Sequence, residues 1–134
     1  MPEATLTSDA VTVRIERRGH PAEVRTVTDD NRSSVEELLA GLSDETDVIL
    51  GLETDAGTLL IALDRAKATI GLDSLDGTYQ YVAGEPGDGH ATLIVGGQQT
   101  DIDRRYVVGT SEAVDVVRAW LSGSPLPAGE WERR

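Results

Sequence analysis

The chain holds two histidines, the side chains most often used for general acid–base catalysis near neutral pH. His20 and His90 both lie beside glycines, in stretches whose composition predicts turns. Histidines in turns are more often solvated surface residues than catalytic ones. We therefore expect neither to carry a reaction.

The segment Gly109-Thr110-Ser111-Glu112-Ala113 offers hydroxyl groups between a predicted strand and a predicted helix, where hydrolases place a nucleophile. Its last position is alanine, although that motif requires glycine, and the chain is too short for the usual hydrolase sheet. Thr110 and Ser111 also have an ordinary role as helix caps. The sequence therefore favours a cap over a nucleophile.

Closely spaced carboxylates could bind a hard cation through their oxygens. The candidate pairs are Asp101 with Asp103, Asp73 with Asp76, and Glu85 with Asp88. None fits a calcium loop, because Gly77 as the turn glycine would put Leu72 at the first ligand position. We predict no metal site, no cofactor and no enzyme activity, although a small hydrolase or lyase built from scattered carboxylates stays an alternative.

The strongest global feature is charge: 12 basic residues stand against 24 acidic ones, a formal net charge of −12. Such a chain is repelled by nucleic acids and anionic membranes, and it attracts a cationic protein. Acidity also keeps proteins soluble, and one lysine, Lys67, beside 11 arginines is typical of a GC-rich genome or a salt-adapted host. The charge alone leaves both interpretations open.

Length and composition predict one soluble domain. A chain of 134 residues can bury a core without disulfides, and it has no cysteine. Residues 1–9 lack periodicity and should form a flexible N-terminus, followed by a single domain over residues 10–134. We see no secretory signal and no apolar stretch that could span a bilayer, so we expect a cytoplasmic protein.

Short alternating stretches joined by glycine and aspartate turns predict a largely antiparallel sheet. A hairpin comes first, over residues 11–16 and 22–27. Further strands are expected over residues 47–52, 58–63, 66–72, 78–83, 91–95 and 105–108.

Two helices complete the prediction. Ser34-Val35-Glu36-Glu37 fits a capping box at the start of the first helix. The second helix follows Thr110 or Ser111 and ends at Ser122-Gly123-Ser124-Pro125. Its apolar face, at spacings of three and four, comprises Ala113, Val116, Val117, Trp120 and Leu121. The predicted fold class is therefore α+β.

The layout resembles the Imm1 family of bacterial immunity proteins. The likeness rests on the early hairpin, the helix from Ser34, the turn between Ile49-Leu50-Gly51-Leu52 and Gly57-Thr58-Leu59, and the late Gly96-Gly97-Gln98. The strongest piece is the last helix with its Gly/Pro link to Glu130-Trp131. The chain departs from the family at residues 91–95, where an aromatic-rich strand would be expected.

This resemblance implies a protein that protects its producer by binding a cognate toxin domain, often one that attacks nucleic acids and is frequently of deaminase type. An acidic plug can fill the basic cleft of such a toxin. The predicted apolar anchors are Tyr79, Tyr81, Tyr106 and Trp131, and the predicted acidic rim comprises Asp73, Asp76, Glu85, Asp88, Asp101 and Asp103. For each of these aromatic rings, core packing is an alternative of at least equal weight, and it is strongly favoured for Trp120. The alternative function is an acidic adaptor or secretion-chaperone module without a toxin partner.

Overall fold

A computed structural model describes residues 11–17, 19–27, 33–42, 44–55, 57–74, 77–82, 89–121 and 130–133. The predicted flexible segment 1–9 and three candidate site residues, Asp76, Glu85 and Asp88, lie outside these ranges.

Strands make up most of the described chain. In chain order the elements are β1 (Val11–Arg17), β2 (Glu23–Val27), α1 (Ser33–Leu42), β3 (Val48–Thr54), β4 (Gly57–Asp64), β5 (Lys67–Ser74), β6 (Gly77–Val82), β7 (His90–Val95), β8 (Gln98–Asp103), a 3-10 helix (Arg104–Tyr106), β9 (Val108–Gly109), α2 (Thr110–Leu121) and β10 (Glu130–Arg133).

A single antiparallel sheet forms the centre of the fold, in the order β10-β6-β5-β4-β3-β1-β2. The short β9 pairs with Lys67 and Ala68 at the start of β5. β6 pairs with the later residues of β5, from Gly71 to Ser74. β7 and β8 form a separate two-stranded ribbon. The α+β class, with its largely antiparallel sheet and two helices, is as predicted.

The hydrophobic core lies between the helices and the inner face of the sheet. Alternate residues of a strand point to the same face, so the central strands bury every second side chain. These are Val48, Leu50 and Leu52 on β3, Leu59, Ile61 and Leu63 on β4, and Ala68, Ile70 and Leu72 on β5. The helices add Val35, Leu39 and Leu42 from α1, and Ala113, Val116, Val117, Trp120 and Leu121 from α2. The predicted apolar stripe of the last helix therefore faces the core.

The β7–β8 ribbon packs on the opposite, outer face of the sheet. Asp64 and Lys67 alternate with core residues and therefore point to that face. Asp64 Oδ2 accepts a hydrogen bond from Ile94 N at 3.0 Å, and Lys67 Nζ donates to Thr92 O at 3.1 Å. The ribbon thus covers the end of the outer face where β4 turns into β5.

Two predictions of local structure are wrong. Residues 105–108 form the 3-10 helix and the two-residue β9 instead of a longer strand, because Asp103 Oδ1 accepts from Arg105 N at 3.1 Å and caps the 3-10 turn. Thr110 is the first residue of α2, and its buried Oγ1 has no hydrogen-bond partner in the described ranges, so this hydroxyl does not cap the helix.

The β4–β5 turn offers a test of backbone strain. Arg65 and Ala66 have φ angles of 50° and 66°, a region that favours glycine. We expect Ala66→Gly to raise the free energy of unfolding by about 0.5 kcal/mol, after allowance for the greater freedom of glycine in the unfolded chain. Urea denaturation measures the change. Ala62→Gly, in the extended strand nearby, is the matched control and should be destabilising; equal losses from both variants would contradict the strain.

Candidate protein-binding surface

Strand register places five residues in one line across the outer face. Arg14 lies opposite Val24 on one side and Gly51 on the other, and Leu60 lies between Gly51 and Gly71. We call the line Val24-Arg14-Gly51-Leu60-Gly71 the leucine row. Residues directly opposite each other in antiparallel strands share a face, so these side chains form a continuous surface.

The leucine row contains the two large hydrophobic side chains that are exposed within the described residues: Val24 is 57% exposed and Leu60 is 45% exposed. A β-carbon on Gly51 would lie 3.6 Å from Leu60 Cδ2, so Leu60 leans over that glycine. Among the described residues, a β-carbon on Gly71 would come within 4 Å of Tyr79 O alone, at 3.8 Å. The row therefore presents an apolar side chain beside open space.

A second line runs parallel to the first, two residues along each strand. Glu53 lies between Thr12 and Thr58, and Asp73 lies between Thr58 and Thr78. We call the line Thr12-Glu53-Thr58-Asp73-Thr78 the carboxylate row. Both acids are exposed, and Thr78 Oγ1 lies 3.5 Å from Asp73 Oδ1. The row thus alternates carboxylates with small hydroxyl side chains.

On the helix side of the fold, carboxylates mostly have partners. Arg118 Nη2 donates to Glu36 Oε1 at 2.6 Å, and this bond raises the pKa of Arg118. Asp115 lies 3.5 Å from the same guanidinium. Glu112 Oε2 accepts from the Tyr81 hydroxyl at 2.9 Å. Arg118 thus partly offsets the negative charge of Glu36 and Asp115, and Glu112 is engaged by a neutral donor.

Exposed carboxylates without an ion pair to any described residue lie mainly on the outer side. Glu16, Glu53 and Asp73 point to the outer face, Asp55 lies in the β3–β4 turn, and Asp101 lies on the ribbon; Glu37 and Asp44 lie elsewhere. Among the described residues, carboxylates without an ion pair are therefore more numerous on the side of the sheet away from the helices than near them.

The predicted acidic rim is only partly assembled in the described structure. Asp73 is exposed in the carboxylate row. Asp101 and Asp103 both lie on β8, where Asp101 Oδ1 accepts from Thr92 Oγ1 at 2.8 Å. Asp103 caps the 3-10 helix and lies 3.7 Å from Arg105 Nε. Asp73 and Asp101 are therefore the described members of the rim that remain exposed to a partner.

The predicted aromatic anchors on β6 and β10 lie on the inner face. Tyr81 is 7% exposed, and its ring contacts Trp131 edge-to-face with centroids 5.1 Å apart. Trp131 and Tyr79 are half-buried against the core, and the guanidinium of Arg133 lies 5.9 Å from the Tyr79 ring centroid. These rings pack within the fold, on the face opposite the exposed carboxylate row.

Tyr106 belongs to a polar cluster that joins the 3-10 helix to β10. Its hydroxyl donates to Glu132 Oε1 at 2.8 Å and accepts from Arg105 Nη2. The bond to the Glu132 carboxylate, reinforced by partial burial, raises the pKa of Tyr106. The cluster ties the 3-10 helix to β10 and engages the Tyr106 hydroxyl with both Glu132 and Arg105.

A cleft of about 530 Å³ lies between the ribbon tip and the outer face, lined by Glu16, Arg17, Asp47, Ile49, Gly96, Gly97 and Gln98. The buried Asp47 accepts from Gly96 N and Gly97 N, both at 2.8 Å, so its two oxygens are already engaged. Arg17 lies 3.6 Å from Glu45. In this cleft, Asp47 therefore holds the ribbon tip in place.

Other kinds of site have little support in the described residues. No group of three or more histidines, cysteines or carboxylates there could hold a metal ion. Within the same ranges, no helix combines the length and the apolar character needed to cross a membrane.

The sequence prediction missed the leucine row. Leu60 lies within the apolar stretch Leu59-Leu60-Ile61, and only strict alternation along β4 marks it as the outward residue. Its pairing with two glycines follows from register across three strands, which no local pattern reports. Comparison of the chain with models of known protein families and with curated proteins finds no match.

Proposed function

We propose that this chain is a bacterial immunity protein that acts in the cytoplasm, where it binds a cognate toxin domain and covers its basic active-site cleft. The toxin is proposed to attack nucleic acid, for which a deaminase-type domain is one candidate. The observation that carries the proposal is that, within the part of this acidic chain that the structure describes, exposed carboxylates without an ion pair lie mainly on the outer side of the sheet.

Physical chemistry supports a protein partner over nucleic acid. With a net charge of −12, the chain repels polyanions. A toxin that grips nucleic acid presents positive charge, and complementary charge raises association rates to about 10⁸ M⁻¹ s⁻¹ at low salt. An acidic protein seated in that cleft would exclude the toxin's substrate by charge and by volume.

The test pairs the chain with the variable C-terminal domain encoded by the gene immediately upstream. Under this proposal, co-expression restores growth of cells that the domain otherwise kills, and purification of either protein brings down a stoichiometric complex. Failure of both rescue and complex formation would refute the immunity function.

A toxin domain from an unrelated system serves as the specificity control, and cells should not survive it. An acidic adaptor or secretion chaperone would give a complex without rescue. The two outcomes therefore separate the proposed function from the alternative.

A further inference from the structure

We infer that the open part of the outer face, the leucine row together with the carboxylate row, is the docking surface for a cationic protein. The inference rests on the proposed function and identifies the surface by which the chain would meet its partner. It departs from the sequence-based set of contacts, because only Asp73 belongs to both.

The apolar part of the surface is centred on Leu60. Protein interfaces draw most of their affinity from a few central residues that fill pockets and lose water on binding. Leu60 is 45% exposed. The residues opposite it on the two neighbouring strands, Gly51 and Gly71, are glycines and carry no side chain. A partner side chain could therefore reach the backbone at Gly71 and pack against the free side of Leu60.

The charged part of the surface is the carboxylate row. Glu53 and Asp73 form no ion pair with any described residue, and Asp55 adds a further exposed carboxylate in the adjoining turn. Arg14 supplies one positive charge in the neighbouring leucine row. A hydrophobic centre with a charged border is the usual anatomy of a protein interface.

Charge selects the occupant. A second copy of the chain would bring two bodies of net charge −12 together, with Glu53 and Asp73 of both in the contact. A nucleic acid would meet the same carboxylates with its phosphates. A protein that carries lysine and arginine around an apolar side chain matches both rows. Its apolar side chain would pack on Leu60, and its basic side chains would pair with Glu53 and Asp73.

The size of the face is adequate for such a partner. The leucine row crosses five adjacent strands, from β2 to β5, and at about 4.8 Å between strands it spans roughly 19 Å. The ribbon limits the face at the β4–β5 end and the β3–β4 turn limits it at the other. A single convex protein surface can cover this area.

A first experiment needs no knowledge of the toxin. Amide chemical shifts of the intact chain are followed by nuclear magnetic resonance during titration with an oligoarginine peptide at moderate ionic strength. We expect the largest shifts at Gly51, Glu53, Leu60, Gly71 and Asp73. Shifts centred on the helices would overturn the inference, whatever becomes of the immunity function.

The second experiment measures affinity and rates for the toxin domain with three variants. Leu60→Glu should weaken binding about 30-fold, as expected for a central anchor. Gly71→Val fills the open space without backbone clash and should have a similar effect, since its β-carbon meets only ordinary contacts. The double variant Glu53→Lys/Asp73→Lys should slow association about tenfold and flatten its salt dependence.

The matched control is Glu37→Lys/Asp44→Lys, which changes net charge equally through exposed carboxylates that lie outside the outer face and form no ion pair with a described residue. It should retain most of the association rate, and circular dichroism should show every variant folded. If the toxin binds and the outer-face variants behave like the control, this surface is wrong and the immunity function stands. If the unmodified chain neither binds nor protects, the proposed function itself has failed.

Discussion

Trp120→Ala is expected to lower the free energy of unfolding by about 4 kcal/mol, which is a large part of the stability of a small domain. Trp120 is 2% exposed and joins α2 to the sheet. Its Nε1 donates to Leu52 O at 3.3 Å, on the buried face of β3. Truncation would leave a cavity between helix and sheet and remove a bond made in the core. Chemical denaturation followed by circular dichroism measures the loss.

The second tryptophan provides the control. Trp131 is half-buried on the edge strand β10 and contacts Tyr81 by its ring edge. Because one side of the ring is already in solvent, Trp131→Ala should cost about 2 kcal/mol. The loss of free energy of unfolding for Trp120→Phe should lie between the losses for Trp120→Ala and Trp131→Ala, because phenylalanine keeps most of the apolar area but lacks the Nε1 donor. Equal losses at both tryptophans would contradict the core position of Trp120.

The sequence predicts well those elements in which the pattern of apolar residues matches the pattern of buried positions. β1 and β3 to β7 alternate or carry short apolar runs because one face of each lies against the core or the sheet. α2 shows the same in helical spacing. In these segments, local pattern and tertiary environment agree, so the local pattern suffices.

β8 and β10 show the limit of that reasoning. Residues 98–101 of β8 are exposed, so nothing in Gln98-Gln99-Thr100-Asp101 marks a strand; β8 is a strand because it pairs with β7. The sequence did contain one signal for this hairpin, the glycine pair Gly96-Gly97. Both glycines adopt positive φ, as a two-residue hairpin turn requires. β10 carries one aromatic, Trp131, and depends on β6 for its pairing.

The candidate surface depends on register, which local sequence does not contain. Glu53 and Asp73 are twenty positions apart, yet Thr58 pairs with both. The sequence-based set grouped carboxylates by nearness along the chain and aromatics by type. In the sheet these residues are separated, because successive side chains of a strand point to opposite faces. Tyr79 and Tyr81 point to the inner face, and Asp73 points to the outer face.

Two buried carboxylates that no pattern singled out hold the ribbon against the sheet. Asp47 is 6% exposed and Asp64 is 5% exposed. Asp47 accepts from Gly96 N and Gly97 N at the ribbon tip, and Asp64 accepts from Ile94 N within β7. A carboxylate bonded to backbone amides is worth more than a neutral acceptor. We therefore expect the ribbon's position over the outer face to depend on these two residues.

Asp47→Ala should lower the free energy of unfolding by about 3 kcal/mol, from the loss of two charge-assisted bonds and from strain. Strain enters because Asp47 has φ of 57°, which alanine adopts poorly. Asp47→Gly removes the same bonds without that strain and should lose about 1 kcal/mol less. Asp47→Asn tolerates the conformation and keeps one acceptor oxygen, so it should be the mildest change. Asp44→Ala, at an exposed turn position nearby, is the control and should change stability little.

Hydrogen exchange tells release of the ribbon from unfolding of the whole domain. In Asp47→Gly, the amides of β7 and β8 should exchange faster while those of β3 and β4 stay protected, because the sheet keeps its core when the ribbon detaches. Uniform acceleration in all four strands would show that the ribbon is part of the global folding unit. With the ribbon released, more of the outer face beside Leu60 becomes exposed, and affinity for a protein docked there should change even though Asp47 itself is buried beneath the ribbon tip.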